Sequence, residues 1–275
     1  MLESISYGLS FALPILYGLT TIAYLVHFIR NRGERSNFAL VALVVTLAVH
    51  LVAVFVRLVG ERHVPLANVG EAVTFFALCT TVVYAYLEIR MRMQTMGIFV
   101  LVIVLVFQTV ASLRYEPFAP IQDSLKSGWF AFHVTSTIVA FSSFAIATMT
   151  SALYLLLYRE LHSMRPGFIF QRIPSLETLD VMSRRAVKLG FVLFTLGILT
   201  GMMWAKGAWG FFWRWDPKMC TSFTVWLIYA AYLWMRTRKT WNGRRVAYVA
   251  LLGFAMLIFT FVLVDLIFHT EHRFV

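Results

Sequence analysis

The stretch Trp204-Ala-Lys-Gly-Ala-Trp209-Gly-Phe-Phe-Trp213-Arg-Trp215-Asp216-Pro217-Lys218 sets four tryptophans and an Asp-Pro-Lys corner within fifteen residues, between two long apolar runs. Membrane proteins place Trp at the water interface, where the ring sits at headgroup depth and the N–H stays wet. Four such rings, with Gly207 and Gly210 between them, can form a flat aromatic shelf for a large planar ligand. A dense interfacial belt is the plainer alternative. Asp216 and Pro217 carry a separate, structural message: Asp can cap the first turn of a helix, and Pro at the first helical position loses no hydrogen bond.

Histidine is the second chemical resource. There are seven, and a polar ring inside a membrane helix needs a partner or a purpose. His27 and His162 read as interfacial residues, and His63 lies in a loop. His50 sits within an apolar run, with Arg57 seven residues on and therefore on the same helix face. His133 comes one turn into a run, and His269 and His272 come at the end of the last one. Each alone is expected to be a hydrogen-bonded interfacial residue. Together, His133, His269 and His272 share a depth with the Trp-rich loop. One imidazole on each side of a ring plane, with aromatic surface at its edge, is what an iron porphyrin needs. Lys206, Arg214, Lys218, Arg57 and Arg62 are nearby cations that could pair with propionates.

The elements that position these groups follow from composition. The chain has 275 residues, is 60% hydrophobic and 13% charged, and has a mean hydropathy of +0.77. That describes an all-α integral membrane protein. Apolar runs long enough to span are expected at Gly8–Ile29, Phe38–Leu58, Val69–Leu87, Gly97–Leu113, Trp129–Leu157, Ala186–Trp204, Met219–Met235 and Val246–Phe268. Eight helices result. Continuous apolar runs exclude a barrel of alternating strands.

The net charge of +11 does not point to nucleic acid, because its distribution is topological. Of the 24 basic residues, 16 fall in alternate loops: Arg30, Arg32, Arg35, Arg90, Arg92, Arg159, Arg165, Arg172, Arg184, Arg185, Lys188, Arg236, Arg238, Lys239, Arg244 and Arg245. The positive-inside rule assigns those loops to the cytoplasm. Both termini and the loops 59–68, 114–128 and 206–218 then face outward. Met1-Leu-Glu-Ser lacks the basic start of a cleaved signal peptide. The segment Pro174–Ser183 is expected to form a short amphipathic helix at the inner interface. Cys79 and Cys220 form no C-x-x-C and are expected to be buried, unpaired thiols.

These residues resemble the cytochrome c assembly family, which includes the CcsA (ResC), CcmC, CcmF and HemX-like proteins. Trp204…Trp209-Gly-x-x-Trp213-x-Trp215-Asp216-Pro217-Lys218 is similar to its Trp-rich "WWD" signature. His63-Val-Pro-Leu-Ala-Asn68-Val-Gly-Glu71, Trp129-Phe-Ala-Phe-His133-Val, Pro174–Asp180 with Gly190-Phe191, and Val264-Asp-Leu…His272-Arg-Phe resemble further segments, in the family's order. The likeness runs from about His50 to the C-terminus.

The resemblance implies one membrane domain over residues 1–275, in a bacterial cytoplasmic membrane. It also implies non-covalent haem b, held at the outer face for attachment to an apocytochrome c bearing C-x-x-C-H. By the same likeness, His133 and His272 are the axial ligands, and Trp204, Trp209, Trp213, Trp215 and Asp216 surround the haem. His269 is the alternative second ligand, and His50 an alternative internal one. A CcsB-like membrane partner is implied. Where family members carry a histidine in "Y-L-H-T-R", this chain has Tyr232-Leu-Trp234-Met-Arg236, and Met219 replaces the Glu that usually follows Asp-Pro-Lys. Both changes lean toward the HemX-like branch, whose alternative role is to regulate haem biosynthesis or chaperone haem without attaching it. A transporter unrelated to haem is a third reading, opposed by the lack of an evident inverted repeat.

Overall fold

The structure, a computed structural model, describes residues 1–30, 36–66, 68–91, 94–118, 123–163, 167, 172–238 and 243–263. Eight α-helices are described: α1 (Leu2–Arg30), α2 (Asn37–Glu61), α3 (Val69–Met91), α4 (Gly97–Leu113), α5 (Gly128–His162), α6 (Leu176–Trp209), α7 (Pro217–Met235) and α8 (Gly243–Ile258). A π-helical turn, Phe259–Leu263, continues α8. No strand occurs among the described residues. Seven helices are long and apolar enough to cross a membrane, so the chain is a multi-pass membrane protein. The helix outside that set, α7, has 19 residues and carries Lys218 and several Thr, Tyr and Trp residues that lower its hydropathy.

The chain packs as two compact units. Residues 1–126 with 172–174 form unit 1; residues 127–171 with 175–275 form unit 2. In unit 1, α1 lies against α2 and α4, and α3 against α4 and α2. Pro14 interrupts α1 and has no N–H to give, which strands the Ser10 carbonyl. Ser112 on α4 repairs this by donating its hydroxyl to Ser10 O at 2.6 Å. Within a bilayer a stranded carbonyl would cost several kcal/mol, so such a repair is required. The interior of unit 1 is polar in layers: Thr20 with Thr46 at 2.7 Å, Tyr17 with both His50 and Thr81 at 2.9 Å, and Tyr24 donating to Glu88 at 2.7 Å.

Unit 2 is built on the α5–α6 pair. Gly190, Gly197 and Gly201 lie on one face of α6. A Cβ there would meet Phe144, Thr137 and His133 at 2.7, 2.5 and 2.5 Å. Small residues let the two backbones approach, the usual device for joining helices where no hydrophobic drive exists between them. Tyr229 of α7 stacks on Phe144 of α5, with ring centroids 3.7 Å apart. At the C-terminal end of α7, Arg236 forks onto Asp180 of α6 through two hydrogen bonds, one of 2.8 Å.

Three expectations are corrected. Pro174–Ser183 does not make a separate interfacial helix. Ser175 caps a single continuous helix running from Leu176 to Trp209, with Thr178 N donating to Ser175 Oγ at 3.3 Å. Leu179, Met182, Ala186 and Val187 are buried along it, and Ser183 bonds both Ser151 and Tyr232. The apolar spacing expected to face a membrane surface faces protein. The same helix extends to Trp209, so the Trp-rich connection is shorter than the 206–218 loop read from sequence. Cys79 is buried and Cys220 only partly so; both are free thiols.

Candidate functional site

His133 lies on the second turn of α5, which starts at Ser127, where Trp129 N donates to Ser127 Oγ at 3.2 Å. Its Nδ1 is 2.7 Å from the carbonyl oxygen of Gly197. A carbonyl can only accept, so Nδ1 carries the proton, and the lone pair of the neutral ring belongs to Nε2. A backbone carbonyl fixing the tautomer in this way is the usual support of a metal-binding histidine. Gly201 provides the space, since any side chain there would strike the imidazole. The donor set therefore fits an iron porphyrin: one oriented imidazole nitrogen beside a wide aromatic surface.

The tryptophans divide into two groups. Trp204 is buried and lies parallel to the His133 ring, centroids 6.4 Å apart and planes within 10°. It also packs on Phe130 at 5.3 Å and meets Trp209 edge-on at 4.9 Å. Trp209 then stacks on Phe211. The second group runs Trp215, Trp213, Phe223, Trp226, with centroid steps of 6.1, 6.2 and 5.8 Å. Trp226 is anchored by its indole N–H, which donates to Thr195 at 2.9 Å. Trp215 is 85% exposed, a large apolar area left open at the loop tip. His133, Trp204 and Trp209 are thus brought together, while Trp213 and Trp215 form a separate aromatic edge over α7.

The two groups are joined by a tight connection. Gly210 ends α6 in the left-handed region at φ 85°, which an L side chain resists. Asp216 starts α7: Lys218 N donates to its Oδ1 at 2.8 Å, and Pro217 holds the first turn. The expected cap is therefore present. Cations surround the loop, each over a ring: Lys206 over Phe212 at 4.4 Å, Arg214 over Phe211 at 5.7 Å, Lys218 over Phe261 at 5.3 Å. Lys218 and Asp216 are buried.

The other expected residues fare differently. His272 and His269 lie outside the described residues. His50 is fully buried and held by Tyr17. Arg57 is engaged by Glu61 at 2.8 Å and Glu71 at 2.7 Å, so its charge is already answered within unit 1. Trp234 is 54% exposed, with the Arg238 guanidinium 5.1 Å from its ring centre. Gly197 and Gly201 were missed from sequence, although their Gly-x-x-x-Gly spacing is a legible packing signal.

Comparison with known proteins places the chain in a family. The family model described as cytochrome C assembly protein matches residues 66–272. The cytochrome c biogenesis protein CcsA of Guillardia theta is 33% identical over 219 residues, covering 73% of each chain. That of Porphyra purpurea is 29% identical over 288 residues, covering 90% of this chain and 85% of its own. Among solved structures, the cytochrome c heme lyase CcmF superposes with a TM-score of 0.66 at 16% identity, over 95% of this chain and 46% of its own length. That likeness is one of fold, and this chain spans less than half of that protein. With three quarters of its length under the family model, the chain belongs to the cytochrome c assembly protein family.

Proposed function

We propose that this protein binds haem at the end of unit 2 that carries the Trp-rich loop, and presents it for attachment to apocytochrome c. The observation that carries the reading is the His133 Nδ1 to Gly197 O hydrogen bond at 2.7 Å, which leaves Nε2 as the ring's only ligating atom. His272 is the proposed second ligand, with His269 as its alternative. Bound there, haem b would bring the vinyl groups that the client's thiols attack. The chain's own residues supply the rest. Trp204 backs the His133 ring, the exposed Trp215 edge offers apolar contact, and Lys206, Arg214 and Lys218 supply positive charge. Family membership supports apocytochrome c as the client, and a CcsB-like membrane partner is proposed with it.

The topology proposed with it is eight spans, α7 included, with both termini and the Trp-rich loop on the outer side of a bacterial cytoplasmic membrane. The asymmetric loop arginines support it. A second reading, a HemX-like regulator or haem chaperone without attachment activity, has one observation of its own: half-exposed Trp234 stands where family members carry a histidine, and indole cannot ligate iron.

Protein purified in detergent is expected to carry, or to take up from added hemin, b-type haem with a six-coordinate low-spin spectrum. Acid acetone should extract it. Protein that stays colourless after hemin addition would end the haem reading. Attachment by the haem-loaded protein, with its partner, to a C-x-x-C-H client separates the two functions.

A further inference from the structure

The turn that leaves α2 holds two titratable side chains that the haem reading does not use. α2 has 25 residues, about 37 Å of helix against an apolar bilayer core of about 30 Å. Glu61, its last residue, lies beyond the apolar run Phe38–Leu58 and outside that core. Arg62 follows in the left-handed region at φ 60°, which an L side chain seldom adopts. The turn brings His63 back against Glu61.

Two buried acceptors meet there. His63 Nδ1 is 3.0 Å from the Val64 carbonyl oxygen, so Nδ1 carries a proton and Nε2 of the neutral ring is a bare lone pair. It faces Glu61 Oε2 at 3.9 Å, and the two side chains are only 11% and 2% exposed. Neither Nε2 nor Oε2 has a hydrogen-bond partner among the described residues. Two acceptors shut away from water and facing each other are unfavourable, and a single proton between them answers both. The surrounding charges leave Oε2 open. Arg57 of α2 bonds Glu61 Oε1 at 2.8 Å and Glu71 of α3 at 2.7 Å, and Asn68 donates to the same Glu71 oxygen. Beyond α4, Tyr115 and Phe118 lie over the guanidinium, and the Glu116 carbonyl accepts from it. The side chains of Arg62, Arg114 and Glu116 are exposed. Burial and, after it, the Glu71 carboxylate raise the Glu61 pKa to about 7, against the lowering pull of Arg57 and His63.

We infer that Glu61 and His63 form a proton-operated latch, in which one proton held between Glu61 Oε2 and His63 Nε2 keeps the turn 62–66 closed and its loss releases the turn. Behind the latch Pro65 and Leu66 are buried, Leu66 N donates to the Val64 carbonyl at 2.8 Å, and Pro65 is part of the wall of a polar cavity that Arg57, Glu71 and Gln108 also line. Release therefore opens that wall to water. In the open turn Glu61 is an ordinary carboxyl near 4.5, whereas the closed one keeps its proton to about 7. The stabilisation is complete below the lower value and is lost as pH rises through the higher one. Between them the opening constant rises by up to about tenfold per pH unit, one proton being released on opening, and above them it is level. Every residue of the latch belongs to unit 1, and no haem ligand takes part.

Hydrogen exchange of the backbone amides in the turn, followed by mass spectrometry on the purified full chain and corrected for intrinsic rates, reads the opening. The wild type should exchange slowly in acid, faster by up to about tenfold per unit as pH rises toward 7, and at a level ratio above it. Glu61→Gln keeps a neutral group of the same shape whose amide N–H donates to Nε2, and should exchange slowly at every pH. His63→Phe removes Nε2 and should exchange at least about tenfold faster than the wild type in acid; it serves as the second reading if Glu61→Gln does not fold. His133→Ala should follow the wild-type profile, so loss of haem and loss of the latch are separate results. A flat wild-type profile, a Glu61→Gln profile that still follows pH, or His63→Phe exchanging as the wild type does would each overturn the latch and leave a fixed structural contact.

Discussion

Alanine at Gly201 places a methyl carbon 2.5 Å from His133 Nδ1 and 2.7 Å from Cε1. Carbon needs about 3.5 Å from such atoms, so the imidazole must withdraw by about 1 Å. The Nδ1 to Gly197 O hydrogen bond is 2.7 Å long, and such a retreat lengthens it to about 3.7 Å, beyond any hydrogen bond. The imidazole then loses the contact that fixes its tautomer and direction. Loss of such an outer support costs about 10–100-fold in metal affinity. The stability cost is separate, about 1–3 kcal/mol for an overpacked helix contact. Hemin titration followed by the Soret band reads the affinity, and the same spectra show a shift toward five-coordinate iron. Gly207→Ala is the control, because a Cβ there meets nothing within 4 Å and the change slightly favours the helix. Gly201→Ala with wild-type affinity and spectrum would refute the argument, as would equal loss in Gly207→Ala.

Further outcomes follow from the same geometry. His133→Ala and His272→Ala are each expected to weaken haem retention, and added imidazole to restore part of the low-spin spectrum; silence at His272 with loss in His269→Ala would reassign the second ligand. Asp216→Ala removes the α7 cap and should cost about 1 kcal/mol of stability, read by thermal denaturation, while Asp216→Asn should retain most of it. A reporter active only outside the cytoplasm should work after Val275 and within residues 114–128, and fail within 158–185; the reverse pattern would place the Trp-rich loop inside.

The helical framework is legible in the order of the amino acids. Long apolar runs can satisfy their backbone groups in a bilayer only as helices, so the helices and their approximate ends follow from composition and length. The Asp216-Pro217 start of α7 is readable because capping is local chemistry, settled within a few residues. The Trp-rich segment and the ordered motifs from His63 to His272 place the family, because motif spacing is itself a property of sequence.

What the sequence could not state was which face each residue would turn to another helix. The amphipathic stretch after Pro174 read as a membrane-surface helix, because apolar spacing does not say whether lipid or protein covers it; Ser183 lying between Ser151 and Tyr232 decided for protein. Arg57 looked available to an anion until Glu61 and Glu71, from α2 and α3, closed on it. Four tryptophans looked alike in the string, yet Trp204 backs an imidazole while Trp215 stands in the open. The residues that orient His133 lie 64 and 68 positions away, on α6. Their glycines carry no functional group to notice. Their role is a carbonyl and an empty volume, and both exist only once two helices have packed.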